Sequence, residues 1–141
     1  MQTVPRAENF PHAADIGVRG VGRTREEAFA QAATALAAAV TDVDAIRSDR
    51  CIAIECEAPN DGLLLVDWLN ALIYRMAVDH MLFGRFEVAI DGHRLKAQAW
   101  GERVDIARHA PAVEPKGATY TALKVERGGD GVWLAQCVVD V

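Results

Sequence analysis

The chain has 141 residues, 51% hydrophobic and 25% charged, which suits one ordinary globular core and is too little for two. A net charge of -5 excludes a protein whose whole surface grips nucleic acid, because phosphate neutralisation needs a basic face. No apolar signal region follows Met1, and the apolar runs near 32–40 and 63–76 are interrupted or fall short of a bilayer span. The expectation is therefore a cytoplasmic protein with no membrane association and no direct nucleic-acid binding.

Residues 1–9 read as a polar lead-in to a single domain covering 1–141. A short strand follows over 16–21, with Ile16 and Val18 on one face; its glycines point to close backbone approach or a bulge. Thr24-Arg25-Glu26-Glu27 forms a capping box, in which the Thr24 hydroxyl takes the Glu27 N–H and Glu27 reaches back. Behind it, Phe29, Ala32, Leu36 and Val40 recur at helical spacing, and the many alanines imply that this helix lies close to a sheet.

The alternation of 51–57 predicts a strand with Ile52 and Ile54 inward, and Pro59-Asn60-Asp61-Gly62 ends it. A second helix over about 63–78 buries Leu65, Leu69, Leu72, Ile73 and Met76. Trp68 flanks that stripe, and Asp67, Asn70 and Arg75 face away. The strands 86–90 and 94–100 surround Asp91-Gly92, a two-residue hairpin signal that sets Val88 opposite Leu95 and Phe86 opposite Ala97. Residues 101–115 form a long connection without periodicity, the kind that is functional or mobile. Two further strands, 119–126 and 132–139, surround a glycine-rich turn. The order predicts an α+β domain with two helices packed on one face of a largely antiparallel sheet.

Three cysteines, Cys51, Cys56 and Cys137, form no CxxC and read as free buried thiols. His80, His93 and His109 read as turn or surface histidines, and Asp42, Asp44 and Asp49 as a solvated loop. The 17–22 glycines lack the lysine of a phosphate loop.

One constellation gathers by topology. If Glu126 pairs with Val132 across the last turn, Asp140 faces Ala118, and Lys116 lies one step beyond. If the first strand runs antiparallel beside the last, Asp15 meets Asp140. His12, Asp15, Lys116, Asp140 and the Val141 carboxylate then share one end of the sheet. Carboxylates with carbonyls nearby suit a hard cation such as calcium or magnesium better than zinc. The same residues also fit unrelated surface carboxylates at solvated chain ends.

Several stretches together resemble a known family. Pro11-His12-Ala13-Ala14-Asp15-Ile16-Gly17 is similar to the His-Thr-Ala-Asp-Ile-Gly opening of the archease family. Gly22 to Phe29 resembles its first helix start, Leu64 to Leu72 its second helix, and Gly101-Glu102 with His109 its loop after the hairpin. Lys116-Gly117-Ala118-Thr119-Tyr120 looks like its Lys-Ala-x-Thr-Tyr, and Val138-Val139-Asp140-Val141 like its terminal strand. Ala13, Gly117 and Thr121 depart from the family's usual Thr, Ala and His.

The resemblance implies a non-catalytic accessory of the RtcB-type RNA-splicing ligase that promotes guanylylation and turnover of the ligase in tRNA splicing or RNA repair. It implies a metal site on Asp15, Asp140 and Val141, with His12 as a supporting residue and Lys116 needed for activation. Calcium is the metal it suggests, with Mg2+ or Mn2+ as alternatives, in a monomer or weak oligomer. The competing readings are a stand-alone metal-dependent phosphohydrolase using Asp15 and Asp140, and a general chaperone or ligand-binding module.

Overall fold

Helix α1, Arg25–Val40, starts where its capping residues direct, in a computed structural model that describes residues 4–141. The Thr24 hydroxyl accepts the Glu27 N–H at 3.0 Å. Glu27 reaches one residue further back than a standard capping box, accepting the Arg23 N–H at 2.9 Å. Phe29, Ala32, Leu36 and Val40 are all buried, as their spacing predicts, but so are Ala28, Ala33, Ala35 and Ala37. A helix buried on more than one side needs partners on more than one side.

It has them, because the strands form two sheets. Strands β1 (Arg6–His12), β2 (Asp15–Gly22), β3 (Arg50–Glu57), β4 (Met81–Asp91), β5 (Arg94–Arg103), β6 (Gly117–Ala118), β7 (Lys124–Arg127) and β8 (Trp133–Asp140) pair only antiparallel. One sheet runs β1-β2-β8-β6, with β7 also on β8, and the other runs β3-β5-β4. Helices α1 and α2 (Asp61–Asp79) each touch strands of both. A third helix, α3 (Ile106–His109), is a single turn. The α+β class stands, whereas the expected single sheet with both helices on one face does not. Alternation within a strand identifies a buried face, but it cannot say which sheet the strand joins.

The core explains the close packing. A Cβ at Gly20 of β2 would lie 2.0 Å from the Ala28 carbonyl oxygen, so only glycine lets strand and helix backbones approach this closely. Trp68 lies at the centre of the core rather than flanking a stripe. It is fully buried, and its Nε1–H donates to the Phe29 carbonyl of α1 at 3.0 Å. An indole buried in this way needs such a partner for its N–H.

Other elements depart from expectation for identifiable reasons. The supposed lead-in contains β1 from Arg6 onward; residues 1–3 lie outside the described residues. Its face away from α1 mixes Arg6 and Glu8 with Phe10, and Asn9 on the other face, exposed but donating to the Ala35 carbonyl at 3.0 Å, hides the alternation. The β4–β5 hairpin turns at Gly92-His93, with Gly92 at φ 63, so Val88 faces Ala97 and Phe86 faces Ala99. That is a two-residue slip, an even number, so the buried face survives it. The expected strand 119–126 is broken: residues 119–123 loop out between β6 and β7, with Ala122 at φ 54. Cys51 is exposed, since alternation puts Ile52 and Ile54 inward; Cys56 is half-buried and Cys137 buried. Among the described residues no helix is long and apolar enough to cross a membrane.

Candidate functional site

The stretch from His12 to Asp15 is the β1–β2 hairpin, with Ala13-Ala14 at its tip and Ala13 at φ 53. His12 and Asp15 are therefore cross-strand partners, and the His12 side chain is exposed. Strand β2 runs antiparallel to β8, with Ile16 opposite Val139, which puts Asp15 level with Asp140 one step further on. Residues level across an antiparallel ladder project to the same face. The Asp15 Oδ1 accepts the Val141 N–H at 3.3 Å, closing the end of the sheet.

On the other side of β8, Asp140 faces Gly117 rather than Ala118, and Glu126 faces Leu134 rather than Val132. The turn closed by Arg127 and Trp133 sets the offset at Glu126, and the looped-out residues 119–123 set the one at Gly117. Val138 brackets the loop, accepting the Thr119 N–H at 2.9 Å and donating to the Thr121 carbonyl at 3.1 Å. Gln136 steadies it by donating to the Ala122 carbonyl at 3.0 Å. The consequence for Lys116 is small but favourable: its N–H donates to the Asp140 carbonyl at 2.8 Å. Asp15, Asp140, Val141 and Lys116 thus lie together at one end of β2, β8 and β6, with His12 beside Asp15. The Lys116 side chain is exposed and makes no ion pair among the described residues. Among those residues no three His, Cys, Asp or Glu side chains converge on one point. The ladder brings the Asp15 and Asp140 positions to this end, with main-chain oxygens beside them.

Two features escaped sequence reasoning. Asn70, read as facing away, turns toward β6 and accepts the Ala118 N–H through Oδ1 at 2.8 Å. The 101–115 connection is built around charges that the spacing gave no reason to pair. Glu102 is only 6% exposed; it accepts the Arg47 N–H at 2.6 Å and meets the Arg108 guanidinium and the His109 ring. His109 is buried, not a surface residue. Its Nδ1 accepts the Asp105 N–H at 2.8 Å, so its Nε2–H donates to Glu102 Oε2 at 3.1 Å. Burial alone would raise the Glu102 carboxyl, but the Arg47 amide, Arg108 and His109 outweigh it and hold the group down at about 2. The cluster pins the connection to the loop after α1, while the Ala112 N–H bonds the Val40 carbonyl at 2.8 Å. A glutamate at the end of a strand, with Arg and His six and seven residues on, was the one available signal.

Residues 8–141 match the model of the Archease protein family (MTH1598/TM1083). The chain is 41% identical to a "Protein archease" of Pyrococcus furiosus over 95% of its own length and 97% of that protein's. It is 37% identical to one of Pyrococcus abyssi, covering 96% of this chain and 99% of the relative. Its fold is similar to the solution structure of protein 1598 of Methanobacterium thermoautotrophicum, with TM-score 0.83, 28% identity, and coverage of 96% and 98% of the two chains.

Proposed function

Because this chain belongs to the archease family, we propose that it is the cytoplasmic accessory of an RtcB-type RNA-splicing ligase, promoting the guanylylation and turnover of that ligase without joining RNA itself. The observation that carries the reading is the junction at one sheet end, where Asp15 holds the Val141 N–H and Asp140 holds the Lys116 N–H. The junction supports the reading because it gathers the backbones of Asp15, Asp140 and Lys116 at one end of the sheet, with a Lys116 ammonium that makes no ion pair among the described residues, a charged tip suited to entering another protein's nucleotide site.

The donor chemistry suits a hard cation in kind. Asp15, Asp140 and a main-chain oxygen of Val141 offer oxygen only, without the nitrogen or sulfur that zinc prefers. They are fewer than the roughly six to eight oxygens that calcium takes, which leaves positions for water or for oxygens of the ligase and its nucleotide. These three residues would hold the ion, with His12 beside them. When bound it would supply positive charge for phosphate oxygens, as cations do in phosphoryl transfer.

The chain's own residues do the rest. Asp15 and the Val141 amide fix the sheet end, and the Asp140 carbonyl fixes the backbone at Lys116. Lys116 then presents its ammonium to triphosphate charge that develops during attack by the ligase's nucleophile. The test mixes the purified protein with its cognate ligase and GTP and follows covalent ligase–GMP. Asp15→Ala and Lys116→Ala are each expected to slow it, and wild-type rates for both variants would sink the reading. Calorimetry with calcium alone gives a separate readout, in which Asp15→Ala and Asp140→Ala weaken binding and Lys116→Ala does not.

A further inference from the structure

Strand β6 consists of Gly117 and Ala118 alone, too short a ladder to fix its own position. Along β8 it is held by the Lys116 N–H to the Asp140 carbonyl and the Thr119 N–H to the Val138 carbonyl. The Ala118 N–H is met by helix α2, through Asn70 Oδ1 at 2.8 Å. The same oxygen lies 3.7 Å from where a side chain at Gly117 would begin, so α2 is flush against the edge next to Lys116. The Lys116 side chain has no ion-pair partner among the described residues, so its position depends on the backbone of 116–118.

We propose that Asn70 is a positioning residue for Lys116, holding the β6 backbone from the helix side so that the ammonium sits at the Asp15–Asp140 end. Asn70 itself touches no substrate. Its contribution is a single accepting oxygen, since the amide of Ala118 is the only hydrogen-bond partner its side chain has among the described residues. The inference rests on the reading of Lys116 given above.

The experiment compares Asn70→Ala, Asn70→Asp and Lys116→Ala in the ligase–GMP assay across concentrations of this protein. Asn70→Ala is expected to lower the maximal rate by on the order of tenfold to a hundredfold, the cost of misplacing a group by about an ångström. The half-saturating concentration is expected to hold steady, because docking area is untouched. Asn70→Asp keeps an oxygen in the same place and is expected to restore the rate. If the alanine variant fails to fold, Asn70→Ser replaces it, being polar but too short to reach the amide. A wild-type maximal rate for Asn70→Ala or Asn70→Ser alongside a slow Lys116→Ala overturns the positioning role and leaves the Lys116 reading intact. So does an Asn70→Asp variant as slow as the alanine one. A wild-type rate for Lys116→Ala overturns the functional reading, and this inference with it.

Discussion

The substitution Glu102→Gln removes the charge of the buried cluster and keeps its shape. One oxygen still accepts, and the amide group in place of the other faces the donors that oxygen served, a cost that does not vary with pH. The folded carboxyl is held at about 2, against 4.5 for a free glutamate. A carboxyl depressed in the folded state stabilises the fold fully above its unfolded pKa, and that stability is lost as pH falls toward the folded value. Taken at face value the shift corresponds to about 3 kcal/mol. The Arg108 side chain is 31% exposed, however, and water screens part of that attraction, which leaves roughly 1–2 kcal/mol. For a chain of this size that corresponds to a midpoint change of about 3–8 °C. The assay is urea unfolding of both proteins at pH 7, 4.5, 3.5 and 2.5. The gap between wild type and Glu102→Gln should be widest at pH 7, still near full at 4.5, and shrink steadily below that. A gap independent of pH would refute the electrostatic account and leave only packing.

Other outcomes follow from single contacts. Gly20→Ala drives a methyl group into the Ala28 carbonyl and should cost about 3 kcal/mol or prevent folding, read by thermal denaturation. Trp68→Phe removes the indole bond to the Phe29 carbonyl and leaves space in the core, for a loss of roughly 1–3 kcal/mol in the same measurement. In the native protein a thiol reagent at pH 8 should label Cys51 quickly. Burial pushes Cys56 up to about 11 and Cys137 up to about 12, so both should label only slowly until urea is added.

The two long helices were legible because each signal was local: Thr24 and Asn60 cap them, and the apolar spacing of Phe29 to Val40 and Leu65 to Ile73 fixes their faces. The β4–β5 hairpin was legible as a face but not as a register, since Asp91-Gly92 and Gly92-His93 are both acceptable turns and keep the same residues inward. Strand β1 was missed because no position of this edge strand is fully buried, and Asn9 on the side of α1 is polar and hydrogen-bonded. The division into two sheets was not legible at all. It follows from how α1 is covered on several sides, which no period of two or 3.6 residues encodes.

For the candidate site, topology was the informative part and chemistry was not. Antiparallel pairing of the first-read strand with the last was enough to bring Asp15 level with Asp140, and a slip of one residue at β6 did not separate Lys116 from it. The slip has a physical source: residues 119–123 are accommodated by a loop, not by the ladder, and Val138 serves both ends of that loop. A polar helical residue such as Asn70 is ambiguous in sequence, because solvent and a neighbouring edge amide satisfy it equally well. Only a partner arriving from 48 residues away decides the matter. The placement of Lys116 is therefore a tertiary property, set by Asp140 on one side and Asn70 on the other. A variant altering either contact should change the behaviour of Lys116 without altering Lys116 itself.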